Sequence, residues 1–147
     1  MTDADTAPRG LLRLVYASRF TGADRDLDET LRSILAKSIQ NNRLVNVTGF
    51  LVAGEGRFLQ LLEGPADAVQ ATYDRIAQDS RHADLAVIAS GPADRRLFRD
   101  WNMGQHRLGA ADAPLLTEMG QETFDPARLD AETAVRLLTT AGGRHLR

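Results

Sequence analysis

Residues 57–65 read RFLQLLEGP. Phe58, Leu59, Leu61 and Leu62 put large apolar groups on both faces of a short segment, so any fold this chain adopts must make it a central, covered strand. One polar side chain, Gln60, interrupts it. A buried amide costs roughly 1–3 kcal/mol unless its hydrogen bonds are met. The stretch that demands a covered strand therefore also demands partners for Gln60. An internal network around a chance polar residue is one way to supply them; a bound ligand is another.

The surrounding pattern predicts the rest of the domain. NVTGFLVAGEGRFLQLLEG reads as a hairpin, with strands over about 46–53 and 57–63 turned at Gly54-Glu55-Gly56. LLRLVYAS (11–18) is a first strand with Leu12, Leu14 and Tyr16 on one face. Asp26 followed by Glu29 is a capping-box signature for a helix over about 27–42. Its apolar stripe of Leu27, Leu31, Ile34 and Leu35 continues into the polar Ser38 and Asn42. Gly64-Pro65 opens a second helix with proline at the first helical position, and Val69, Tyr73, Ile76 and Ala77 form its stripe. DLAVIAS (84–90) is a fourth strand and RDWNMG (99–104) a short fifth.

This order predicts an α+β fold, a ferredoxin-like β-α-β-β-α-β domain with an added fifth strand and a C-terminal helical tail. Strands one and three are then central neighbours, with two helices over one face. Residues 1–10 are expected as a flexible N-terminal tail, 11–105 as the domain and 106–147 as the helical extension. In that extension Leu115, Leu116 and Met119 mark one helix, and Leu129, Val135, Leu137 and Leu138 another, which Gly142-Gly143 stops. Stripes this short are unstable alone and must pack on something, the open sheet face being nearest.

Several function classes fall away. Without cysteine there is no disulfide, thiol catalyst or Cys-based metal site, and the composition fits a reducing interior. His82, His106 and His145 have no paired spacing, so no metal is expected. There is no phosphate-loop or dinucleotide fingerprint. Glu63 has no second carboxylate or histidine in a catalytic relation to it, which favours a structural role. A net charge of −2, and a third strand without alternating aromatic rings, argue against nucleic acid; the arginines of DRRLFRDW read as a solvated face. The opening MTDADTAPRG lacks the pattern of a signal peptide, and no apolar run is long enough to cross a bilayer, so a cytoplasmic protein with no membrane partner is expected.

Tyr16, Gln60, Ser38 and Asn42 converge, in this fold, on a cleft between the two helices. Each could be a satisfied core group; together they suit hydrogen bonds to a flat polar ligand. The landmarks LLRLVYAS, SIQNNRLVNVTGFL, RFLQLLEG, DSRH and WNMG, in this order from about residue 10 to about 105, resemble the BLUF family, blue-light sensors that bind flavin.

The resemblance implies a flavin between the two helices, usually FAD, with FMN and riboflavin as alternatives. It makes Tyr16 the photoactive tyrosine, Gln60 the switching glutamine and Asn42 the flavin anchor, with Ser38 a turn earlier. It adds Arg81 and His82 after the second helix, apolar ring contacts from Ile34, Phe58 and Ile76, and a movable Trp101 and Met103. It implies no enzyme activity in this chain but a photosensor with a separate effector protein, and the tail's exposed apolar surface would favour a homo-oligomer. Trp101 and Met103, two apart on the short fifth strand, are expected to face the same side, and light is expected to loosen that strand and reposition the tail. The alternative is a flavin-binding or ligand-free interaction module that has lost photoactivity, against which the intact Tyr16, Gln60 and Asn42 stand. A small hydrolase of the acylphosphatase kind is disfavoured, since nothing forms a phosphate-cradling loop.

Overall fold

A computed structural model of the chain describes residues 10–99 and 101–144. The expected N-terminal tail lies, except for Gly10, outside the described residues, as does His145. Five strands form one sheet: β1 (Leu11–Phe20), β2 (Thr48–Gly54), β3 (Arg57–Pro65), β4 (His82–Ala93) and β5 (Gly104–Arg107). The longer helices are α1 (Leu27–Val45), α2 (Ala66–Ala77), α3 (Ala113–Glu118) and α4 (Ala131–Arg144). The sheet order is β4-β1-β3-β2-β5, antiparallel throughout except that β5 runs parallel to β2. The expected ferredoxin-like arrangement is therefore present, with β1 and β3 as central neighbours.

Alternation along the central strands divides the interior in two. Leu14, Tyr16, Leu51, Phe58 and Leu62 face α1 and α2, where they meet Leu27, Leu31, Leu35 and Val69. Val15, Phe50, Val52, Leu59 and Leu61 point to the other side and are covered by the tail through Leu115, Leu116, Met119, Phe124, Leu129, Leu137 and Leu138. Both faces of the RFLQLLEGP strand are thus covered, as its composition requires. Among the described residues, no helix is long and apolar enough to cross a membrane.

Local details differ from the sequence pattern in physically telling ways. Asp26 makes no side-chain cap; it ends a 3-10 turn, Asp24–Asp26, whose helical backbone angles cannot present the carboxylate to the next turn. Helix α1 runs on to Val45 and ends at Asn46, whose φ of 62° makes it a left-handed cap. Pro65 stands one residue ahead of α2, in extended conformation. The hairpin turn is made by Glu55 and Gly56, with φ of 50° and 75°, the paired positive angles that match strand twist. Strand β4 is longer than the DLAVIAS core because it pairs along β1 from His82 onward.

The largest correction concerns RDWNMG. The fifth strand begins only at Gly104, so Trp101 and Met103 lie in an irregular connector. They do not share a side. Trp101 stacks with Phe50 and Phe98 under the tail, whereas Met103 is buried on the helix side. The period of two fails here because the connector's polar groups bond outside any ladder: Gly49 N–H donates to the Trp101 carbonyl at 3.0 Å, and Asn42 Nδ2 to that of Asn102 at 2.9 Å. Nor does Gly142-Gly143 stop α4. The helix passes through both, and Gly142 is a packing notch, since a Cβ there would come within 2.8 Å of the Phe98 ring.

Gly49 is a stricter case: a Cβ would sit 2.0 Å from the Leu61 carbonyl oxygen, a backbone atom that cannot move aside, whereas Gly91 has open space. Gly49→Ala is expected to cost about 1–3 kcal/mol in urea unfolding, and Gly91→Ala less than about 0.5 kcal/mol. Equal costs at the two positions would contradict this account of the β2–β3 contact.

Candidate functional site

Between α1 and α2, above the middle of the sheet, lies a cavity of ≈ 300 Å³, at the lower end of the size range of small-molecule sites. Its floor comes from three adjacent strands. Tyr16 on β1, Gln60 on β3 and Leu51 on β2 are directly opposed in register, so the sheet itself sets these side chains in a row. Helix α1 supplies Ile34, Ser38 and Asn42, one turn apart on one stripe, and α2 supplies Ile76. Arg81 and His82 close the side where α2 gives way to β4, and Phe58 completes the apolar wall.

Nine of the eleven residues predicted from sequence therefore line one cavity: Tyr16, Ile34, Ser38, Asn42, Phe58, Gln60, Ile76, Arg81 and His82. Trp101 and Met103 do not line it, and only Met103 touches the set. Lys37, Asn41, Thr72, Arg75, Gln78 and Asp79 also line it and were not predicted. Lys37, Asn41 and Thr72 had a readable signal, since they lie three or four positions from the stripe residues Ile34, Ser38 and Ile76.

The polar centre is a short chain. The Tyr16 hydroxyl donates to Gln60 Oε1, and Gln60 Nε2 donates to the Met103 sulfur at 3.2 Å. Tyr16 and Gln60 are 2% and 4% exposed. Burial, with smaller contributions from Tyr73 and Asp79, pushes the Tyr16 phenol above its ordinary range, so it stays a protonated donor. The Tyr73 ring stands edge-on to that of Tyr16 at 5.3 Å. A primary amide offers two N–H groups and two lone pairs. The two contacts use one of each, which leaves Gln60 one donor and one acceptor for a molecule in the cavity it lines.

His82 is held on both nitrogens. Nε2 lies 2.7 Å from the Ile76 carbonyl, which can only accept, so this nitrogen carries a hydrogen; Nδ1 lies 2.9 Å from Ser18 Oγ. Asn42, 1% exposed, commits Nδ2 to the Asn102 carbonyl. Among the described residues, no group pairs with its side-chain oxygen or with the Ser38 hydroxyl, and both residues line the cavity.

This donor set fits a flavin. Ile34, Leu51, Phe58 and Ile76 offer apolar contact to a flat ring, while Gln60, Asn42 and Ser38 retain hydrogen-bonding capacity for its polar edge. Lys37, Arg75 and Arg81 bring positive charge to the same cavity. Among the described residues, no cluster of His, Cys, Asp or Glu could hold a metal ion.

At the cavity's side Asp79 accepts from Arg81 through Nε at 2.9 Å and Nη2 at 2.5 Å. These hydrogen bonds hold the Asp79 carboxyl at about 2, below its usual 3.8. A depressed folded-state value means that the pair's contribution is present above about pH 4 and is lost as pH falls toward 2. NMR titration of the Asp79 carboxyl carbon should give a midpoint near 2; one at 3.8 or above would show that the pair does not hold in solution.

A model of the BLUF family, "Sensors of blue-light using FAD", matches residues 11–104. Photoactivated adenylate cyclase subunit beta of Euglena gracilis is 32% identical over 145 residues, which cover 91% of this chain. The chain spans only 16% of that subunit's length. Among solved structures, the photo-activated state of BlsA aligns with a TM-score of 0.82 at 27% identity, covering 89% of this chain and 94% of BlsA. The dark-state structure of BlrB, a BLUF protein, aligns with a TM-score of 0.74 at 26% identity, covering 92% and 97%.

Proposed function

The chain belongs to the BLUF family of blue-light sensors using FAD, and on that premise we propose that it is itself a photoreceptor, switched through Tyr16 and Gln60. The observation that carries this reading is the Tyr16–Gln60–Met103 chain at the floor of the cavity. FAD is the proposed ligand, supported by the family and by the cationic Lys37 and Arg75, beside the Asp79-paired Arg81, which suit a phosphate-bearing flavin.

Ile34, Phe58 and Ile76 would hold the ring, Asn42 and Ser38 its polar edge, and Arg81 and His82 the near wall. A flavin bound there supplies absorption of blue light and a nearby electron acceptor. Tyr16 would be the adjacent donor of an electron and of the hydroxyl proton that it already directs at Gln60 Oε1, both returning to it when the charges recombine. Rotation or tautomerisation of the Gln60 amide then exchanges its donor and acceptor ends. Burial keeps water from short-circuiting this exchange.

The output reading follows from the same contacts. A rearranged Gln60 changes what it offers Met103, and the connector carries that change to Trp101, which stacks under the tail. We assign no catalysis to the described residues; the signal passes through the connector and tail to a separate partner protein. Self-association is supported by Ile39, Leu44 and Val45, left exposed near the end of α1.

The test is optical. Purified protein should be yellow, and blue light should shift its absorption reversibly to longer wavelength. Tyr16→Phe and Gln60→Leu should keep flavin and lose the shift; a normal reversible shift in either variant would remove that residue from the switch. Asn42→Ala deletes a hydrogen-bonding group worth about 1 kcal/mol, so flavin should bind roughly five-fold more weakly to a still-folded domain. Unchanged affinity and spectrum in that variant would count against Asn42 as an anchor.

A further inference from the structure

Glu63 is a buried carboxylate that the flavin site does not use. It lies on β3 beyond Gln60, on the tail side of the sheet, and its exposure is 0%. A carboxylate is buried only against a large desolvation cost and needs specific partners. Its partners are backbone groups of the connector: Leu97 N–H donates to Oε1 at 2.9 Å and Phe98 N–H to Oε2 at 2.6 Å. Arg13 Nε, which makes no hydrogen bond, lies 3.6 Å from Oε1.

Arg96 ties down the same segment. Its guanidinium donates to Thr48 Oγ1 at 2.9 Å, to the Asn46 carbonyl at 2.8 Å and to the Glu63 carbonyl at 3.2 Å. The DRRLFRDW stretch, which reads in sequence as a solvated face, is therefore largely a clamp.

From this clamp the chain runs directly to the switch. Phe98 stacks on Phe50 and Trp101, at centroid distances of 5.2 and 6.1 Å. Two residues beyond Trp101, the Met103 sulfur receives the Gln60 amide. Strand β3 thus holds the connector at both ends, by Glu63 on one face of the sheet and by Gln60 on the other.

We propose that Glu63 is a positioning residue of the photosensor: by holding the Leu97 and Phe98 N–H groups it sets where the Met103 sulfur meets Gln60, and so how quickly the amide returns to its dark orientation. This rests on the reading of Gln60 as the switch. The Gln60–Met103 contact belongs to the arrangement in the present structure; loosening the connector weakens it, and return to it slows.

Glu63→Gln is the direct test. It keeps the shape but replaces one acceptor oxygen by an NH2 that opposes the N–H it must face. Glu63 does not line the cavity, so flavin loading and the dark spectrum should match the parent. Amides of residues 97–103 should exchange at least ten-fold faster in the dark, and recovery after blue light should slow at least three-fold. A merely structural role would lower the unfolding midpoint without changing the recovery rate. Any other result in the folded, flavin-loaded variant, such as unchanged or faster recovery, overturns the proposal. Should Glu63→Gln not fold, Arg96→Met loosens the same segment from β2 and is judged by the same two readouts. If the parent itself shows no blue-light shift, the photosensor reading fails on its own; exchange over 97–103 in the variant then decides the clamp, faster exchange sustaining it and unchanged exchange overturning it.

Discussion

Tyr16 and Gln60 face each other across neighbouring central strands, in a layer that α1 and α2 close from above. Their hydrogen bond is the constraint on which the rest depends. Each of these polar groups is buried with a partner, and a slip of β3 by one residue would turn Gln60 toward the tail and away from Tyr16. The apolar runs on either side of Gln60 fix that register by filling both faces of β3. Gly49 lets β2 approach β3 closely enough for the third opposed residue, Leu51, to complete the floor. A cavity is left because helix α1 changes from leucines to Ser38 and Asn42 where its stripe passes over this row.

The sheet separates the proposed switch from the tail, so a change at Gln60 would need a route to the other face. The connector between β4 and β5 supplies one. It is irregular, and its side chains therefore reach both sides of the sheet: Met103 toward Gln60, Trp101 and Phe98 toward Phe50 and α4. Asn42 takes part at the cavity end through the Asn102 carbonyl, so the proposed flavin anchor also holds the connector. The aromatic stack meets α4 at Gly142, where a larger residue would not fit. Cavity and tail are linked through the connector by the Asn42–Asn102 bond and the aromatic stack.

Much of this was legible in the amino-acid order. The strand RFLQLLEGP announced its central, covered position through its composition, and the α1 stripe announced the cavity by turning polar at Ser38 and Asn42. Those signals are periodic, and period is what a sequence displays. The connector is not legible for the converse reason. Its conformation follows from side-chain bonds to Asn42, Thr48 and Glu63, none of which has a sequence spacing, so RDWNMG has the pattern of a strand and its alternation does not give the face of Trp101. Gly142-Gly143 looked like a helix stop because local propensity was all that could be read; packing against Phe98 overrode it. The structural role of Glu63 is legible, but its partners lie over thirty residues away in sequence, where no spacing points to them.

The central claim is that the Gln60 amide is the moving part between Tyr16 and Met103. Its side-chain N–H resonances, assigned through Gln60→Leu and followed by 15N NMR in the dark and under blue light, test this most directly. The account predicts that these resonances shift on illumination and return with the same rate as the absorption spectrum. Gln60 resonances that stay in place while the spectrum shifts and recovers would contradict it.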